Sequence, residues 1–208
     1  MESKILVLLS MESERKGRQL IMKVYDYKNY DEYVNEQTRA NKEKISWRYV
    51  HPSIIKRISE HKGNANFIIC HGTRSGAEQM WFKDNYPNAY IIGTEISETA
   101  WQFEMTIQHD FAKVKDEWVG KADIVYSNSF DHSIDPRVTI DTWRDQLKDD
   151  GTMYLEYSER ESVCESVDCL DATENEIIEL INKNGLKVKE TFKGSKGSNV
   201  LVCEKTND

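Results

Sequence analysis

FIICHGTRSGAEQMWFKDNYPNAYIIGTE, residues 67–95, reads as an apolar strand, a glycine-bearing turn, a helix, a second apolar strand and a terminal acid. This order places Gly72 and Gly76 at the carboxyl end of one parallel strand and Glu95 at the end of the next. An open α/β sheet builds its nucleotide pocket at that place.

Working outward, Phe67–Cys70, Tyr90–Ile92, Thr106–Gln108, Asp123–Tyr126 and Thr152–Tyr157 read as successive core strands. Leu186–Phe192 and Asn199–Cys203 are the last two, around the turn GSKGS. Helices are expected after Gly76, from about Ser97, from Asp135-Pro136, and from Glu174, where Ile177, Ile178 and Ile181 face inward. Ile140, Trp143 and Leu147 form one apolar stripe at steps of three and four. Asp149-Asp150-Gly151 reads as a turn. Upstream, one helix should run from Tyr30 to about Tyr49 and another should open at Pro52, a residue suited to the first helical turn. Ile5–Leu9 and Leu20–Tyr25 read as a small amino-terminal hairpin. The fold class is therefore α/β: a three-layer α/β/α sandwich on a mostly parallel seven-stranded sheet with a closing antiparallel strand, plus that hairpin and a helical extension.

The net charge of -8, with no long basic run, argues against a nucleic-acid partner, because a cationic footprint is missing. No apolar span is long enough to cross a membrane, and the acidic opening MESKILVLLSMESE does not read as a signal peptide. Cys70, Cys164, Cys169 and Cys203 lack zinc-ribbon spacing, and a reduced, cytoplasmic setting is the plain expectation.

The turn H-G-T-R-S-G has Arg74 where a dinucleotide fingerprint carries its middle glycine, so close approach of backbone to a pyrophosphate is poorly supported. No GKS or GKT follows, which excludes a Walker A loop. The pattern suits a nucleoside without a polyphosphate.

The order CHGTRSGAEQMWF…GTEIS…DF…YSNSFDHS, followed by DDGTMYLEY and the terminal strands, resembles a class I S-adenosylmethionine-dependent methyltransferase, in particular an uncharacterised microbial and viral subgroup. The resemblance spans roughly residues 60–205. It implies one methyltransferase domain over residues 1–208, with 1–59 as a hairpin and helical cap and 60–208 as a Rossmann-like core. It implies S-adenosyl-L-methionine as cofactor, with Gly72 and Gly76 in the turn beneath its methionine part, Glu95 on the ribose hydroxyls and Asp110 near the adenine; His71, Thr73, Arg74 and Ser127 are further cofactor-binding candidates beside these positions. The chain departs from the family at Cys70, where an acid is common, and at Arg74. Contacts to the methionine amino group should then come from backbone carbonyls or from another residue.

Each residue also has a plainer role. Glu95 can accept two charge-assisted bonds from a vicinal diol, or cap the helix at Ser97. Asp110 can reach an exocyclic amine or bond nearby turn amides. Ile96 and Phe111 can sandwich an adenine or pack in the core. Arg74 can fork onto a carboxylate or stand exposed. His71 can face the sulfonium as a neutral ring, or fix backbone.

Methyl transfer needs donor and acceptor held close, and proton removal where the acceptor is a hydroxyl or a protonated amine. The exit Ser127-Asn128-Ser129-Phe130-Asp131-His132 is the place for such groups. His132 is the candidate base, because imidazole titrates near neutrality, with substrate-binding and structural roles as alternatives. Asn128 and Asp131 complete the catalytic candidates. Asp135 can serve His132 or cap the helix at Pro136. Glu156 points toward the same sheet edge. Tyr33, Gln37 and Asn41 share one helix face; they meet the cleft together if this extension covers the cofactor as in many members of the family it resembles, the alternative being a helix packed mainly through its aromatic ends. The 159–171 linker, with Asp168, should supply the opposite wall. No metal is expected, since Asp131, Asp135, Asp141 and Glu156 have no diagnostic spacing. The expected partner is a small-molecule acceptor, with a protein acceptor and a homodimer left open.

Overall fold

The computed structural model describes residues 22–158 and 164–206. Most of the expected hairpin, including Ile5–Leu9, therefore lies outside the described residues. Of its second strand, Lys23–Val24 is β1, which pairs antiparallel with Leu170–Asp171 (β7).

Seven strands form the main sheet: β2 (Phe67–His71), β3 (Tyr90–Glu95), β4 (Thr106–Gln108), β5 (Ala122–Ser127), β6 (Leu147–Tyr157), β8 (Leu186–Lys193) and β9 (Asn199–Lys205). Their order is β4-β3-β2-β5-β6-β9-β8. The first five run parallel, and β9 is antiparallel to both β6 and β8. The order reverses between β2 and β5, so their carboxyl ends open a crevice.

Alternation along the strands divides the core between the two sheet faces. Ile68, Cys70, Ile124 and Tyr126 point to one side, where they meet Ile55 and Ile58 of α2 (Pro52–Lys62) and Phe82 of α3 (Ala77–Asn85). Ile69, Val125 and Leu155 point to the other, against Ile140 and Trp143 of α4 (Pro136–Gln146) and Ile177 and Ile181 of α5 (Glu174–Lys183). Each fully buried isoleucine contributes about 1.5–3 kcal/mol. The helix starts follow local chemistry. Pro52 and Pro136 occupy first turns, Asp135 accepts from the Val138 amide, and Thr173 and Glu176 form a capping box.

Two boundaries differ from the sequence expectation. The first helix, α1, spans Tyr30–Glu43 and stops six residues short of Tyr49. The Lys44 amide bonds both the Ala40 and Asn41 carbonyls, which closes the helix. Trp47 and Tyr49 then pack on each other outside it. Asp149-Asp150-Gly151 is no turn between elements, because β6 already starts at Leu147 and bulges past Ala122 on β5. A Cβ on Gly151 would stand 2.7 Å from the Ala122 carbonyl oxygen, so glycine permits this approach.

Candidate functional site

Two cavities lie at the carboxyl ends of the parallel strands. The larger, about 270 Å³, is bordered by the Gly72–Ser75 turn, Glu78, Asn128–His132 and the Ser195–Ser198 hairpin turn. The smaller, about 50 Å³, lies under α1 and is bordered by Glu95, Ile96, Asp110 and Phe111. Lys44, Gly72, Arg74, Ser129 and His132 line both, so the two meet at the tips of β2 and β5.

The turn is fixed by β3 and by the β5 exit. Gly72 has φ 70° and its amide bonds the Thr94 carbonyl. A side chain there would be strained, and its Cβ would lie 2.5 Å from that of Ser129, whose hydroxyl donates to the Gly72 carbonyl. Glu95 is buried and accepts from the amides of Arg74 and Ser97, both at 3.0 Å. Burial raises its carboxyl pKa, opposed chiefly by the main-chain amide of Ser97. Glu95 thus clamps the turn and caps the segment at Ser97, with lone pairs left toward the smaller cavity. The amide nitrogen of Asn41, also buried at this cavity, has no hydrogen-bond partner within the described residues.

Asp110 accepts from the Tyr30 hydroxyl (2.8 Å) and the Ala112 amide (2.9 Å). Phe111 packs edge-on to Trp143 while still lining the cavity. Tyr33, Gln37 and Asn41 come together on the inner face of α1, as their spacing implies.

Three cofactor candidates stand elsewhere. His71 is enclosed within the fold, stacked on Trp143 at 4.9 Å, with Nδ1 near Thr94 Oγ1 (3.0 Å) and Nε2 near Gln146 Oε1 (2.8 Å). Burial depresses its pKa to about 3, so the ring is neutral. Alternation explains the correction: the strand turns His71 toward the α4 side, beneath the turn rather than into a cavity. Ser127 is fully buried, donating to the His71 carbonyl and accepting from the Ser129 amide. Gly76 is the left-handed N-cap of α3 and packs by Thr106. None of these three lines either cavity; Thr73 and Arg74 do.

At the junction, His132 Nδ1 is 2.7 Å from the Val167 carbonyl. A carbonyl only accepts, so Nδ1 carries the proton and Nε2 of the neutral ring is an acceptor. Tyr33 donates to the His132 carbonyl and Gln37 to that of Val167. Asp131 Oδ1 lies 3.8 Å from Nε2 and Asp168 Oδ1 3.9 Å from Nδ1. An imidazolium formed here would have a carboxylate on either side. Asp131, His132 and Asp168 together are a set of metal-type donors that sequence spacing did not reveal, because Asp168 arrives from a separate segment. Asp135 caps α4, accepting from the Val138 amide at 3.0 Å. Glu156 lines the larger cavity but is bonded by Tyr126, Ser195 and Ser198.

Sequence reasoning left Glu78 unassigned and omitted Lys44, Arg48 and Lys196, all at the larger cavity. Glu78 is buried in the first turn of α3, and burial pushes its pKa up to about 7. A carboxyl so close to a glycine turn was the available signal.

No protein-family profile matches the chain. No curated protein matches it in sequence. Its fold is that of S-adenosylmethionine-dependent methyltransferases. The 1,6-didemethyltoxoflavin-N1-methyltransferase of Burkholderia thailandensis, crystallised with its substrate and S-adenosylhomocysteine, aligns over 94% of this chain and 99% of its own at TM-score 0.69 and 13% identity. A methyltransferase described as putative, in complex with the Haloferax volcanii activator Trm112, aligns over 87% and 100% at 0.63 and 15%. The mitomycin 7-O-methyltransferase MmcR aligns over 83% of this chain at 0.59 and 12%, and the chain spans 54% of its length. Among the described residues, no helix is long and apolar enough to cross a membrane.

Proposed function

We propose that the protein transfers a methyl group from S-adenosyl-L-methionine to a small-molecule acceptor, at oxygen or nitrogen. The observation that carries this reading is the junction of the two cavities at Gly72 and His132, with a buried acid at one end and an open imidazole nitrogen at the meeting point. The residues fit the cofactor. Glu95 retains acceptor capacity for a ribose diol, and the unpartnered Asn41 amide is a donor at the same chamber. Asp110, Ile96 and Phe111 form the base end, and Thr73 and Arg74 border the tail. When bound, the cofactor supplies an electrophilic methyl carbon.

The rest falls to the chain. Nε2 of His132 takes the acceptor proton, Val167 holds the tautomer, and Asp131 and Asp168 stabilise the resulting charge. Asn128 orients the acceptor. The larger chamber approaches the about 300–1,000 Å³ usual for small-molecule sites, whereas the smaller falls below it. Entry of adenosine therefore calls for the walls of the smaller chamber, α1 or the side chains facing it, to shift outward. The acidic net charge and the small-molecule substrate of the Burkholderia neighbour support a small acceptor over a nucleic acid.

Calorimetry with S-adenosylmethionine and S-adenosylhomocysteine tests the cofactor. Transfer of labelled methyl to a panel of hydroxylated and aminated metabolites tests the reaction. Absence of binding to either nucleoside would overturn the reading.

A further inference from the structure

Proton removal at His132 makes no use of Glu78. This residue lies two positions past the α3 N-cap, is 7% exposed, and borders the larger cavity with Gly72 and Asn128. Its Oε2 has no hydrogen-bond partner among the described residues. Its charge acts on the Cys70 thiol and the Tyr126 hydroxyl, which are register partners across β2 and β5. The buried carboxyl thus stands on the α3 side of the sheet, near the carboxyl ends of those two strands. Burying it without a partner is costly, and a cation with N–H donors would relieve the cost.

Three other charged groups act on Glu78: Arg74 from the turn, Arg48 from the segment after α1, and Glu156 from β6. The Arg48 guanidinium donates to the carbonyls of Ile45 and Trp47, and that of Arg74 lies over the Tyr49 ring. Glu156 is occupied, accepting from the Tyr126 hydroxyl, the Ser195 amide and the Ser198 hydroxyl. Glu156 thus already accepts three bonds, whereas Glu78 Oε2 accepts none among the described residues.

We propose that Glu78 binds the ammonium group of the amino-acid tail of S-adenosylmethionine. This inference rests on the cofactor reading above. A ligand whose ribose meets Glu95 at the tip of β3 and whose body crosses Gly72 at the tip of β2 brings its far end to β5. Of the two charges on that tail, the ammonium complements Glu78, while the carboxylate is drawn to Arg74. Ionisation of Glu78 is disfavoured by burial in the free protein, and the incoming cation favours it. Cofactor affinity should accordingly rise with pH across neutrality.

The test is calorimetry of the wild type and Glu78→Gln with S-adenosylhomocysteine and with 5′-methylthioadenosine, which lacks the tail. The substitution should weaken the first by about tenfold or more, leave the second unchanged, and flatten the rise with pH. The des-amino analogue of S-adenosylhomocysteine should show a similar loss on the unaltered protein, where folding is not in question. Full affinity for that analogue, or equal losses for both ligands in Glu78→Gln, overturns the assignment to Glu78 while leaving the cofactor reading intact. Failure of the wild type to bind either nucleoside overturns both.

Discussion

Replacing Glu95 by alanine separates a diol contact from a structural clamp, because the carboxylate is positioned for both. It accepts two main-chain bonds of 3.0 Å, from Arg74 and Ser97, inside a site where its residue is 7% exposed. Charge-assisted bonds contribute about 1.5–3 kcal/mol, so loss of the diol contact predicts roughly a ten- to 150-fold weaker S-adenosylhomocysteine. Loosening of the turn would also weaken binding, and affinity alone does not distinguish the causes. The assay is therefore a cycle: wild type and Glu95→Ala, each titrated with S-adenosylhomocysteine and its 2′-deoxy analogue. The wild type should discriminate strongly between the two, and the variant should bind both almost equally. If the variant keeps the wild-type preference for the 2′-hydroxyl, Glu95 is a clamp only, and the diol assignment fails.

His132→Asn keeps a donor for the Val167 carbonyl but lacks Nε2, so turnover should fall about 10²–10⁴-fold at nearly unchanged cofactor affinity; equal turnover dismisses the base. Thermal melts against pH should show two opposed slopes. Neutral, buried His71 gives stability that is full above pH 6.5 and lost as pH falls toward about 3. Glu78, its pKa raised from 4.5 to about 7, binds a proton more tightly folded than unfolded, so its contribution is greatest in acid and fades as pH rises through 7. Each slope is at most about 1.4 kcal/mol per pH unit. Glu78→Gln should therefore be the more stable protein at pH 8 and lose stability on acidification where the wild type stays level; parallel curves would contradict this. Gly72→Ala should cost at least about 1–2 kcal/mol from its left-handed backbone alone, with more from the Ser129 overlap, measured by denaturant melts. Hydrogen exchange should slow across Tyr30–Glu43 when S-adenosylhomocysteine binds, and unchanged exchange there would count against α1 as a moving cover.

The sheet was legible because strand composition, glycine turns and helix caps all point one way. Ile68 to Cys70 is continuous apolar sequence, as a strand covered on both faces must be, and Pro136 and Thr173 announce helix starts. The smaller chamber was legible in part: strand order places Glu95 at a converging tip, whereas Asp110 followed from the family resemblance and Phe111 stood between adenine and core packing. Side-chain direction was less accessible. His71 and Gly72 are neighbours, yet one is sealed beneath the turn and the other borders both cavities. Periodicity overran the end of α1, which the Lys44 amide closes on the Ala40 and Asn41 carbonyls before Trp47 and Tyr49 pack outside it. The linker bearing Asp168 was expected opposite the cleft, but the close grouping of Asp131 and His132 with Asp168 was not legible, because it depends on where that connection lands rather than on spacing.

The imidazole of His132 is held by elements that do not belong to the sheet. Its ring is tied to Val167, Val167 is tied to Gln37, and Tyr33 is tied back to the His132 carbonyl. Exchanging α1 for that of a distant homologue would therefore shift the His132 ring as well as the wall of the smaller cavity. Any transplant intended to change only what enters the cleft must carry all three tethers across as one piece.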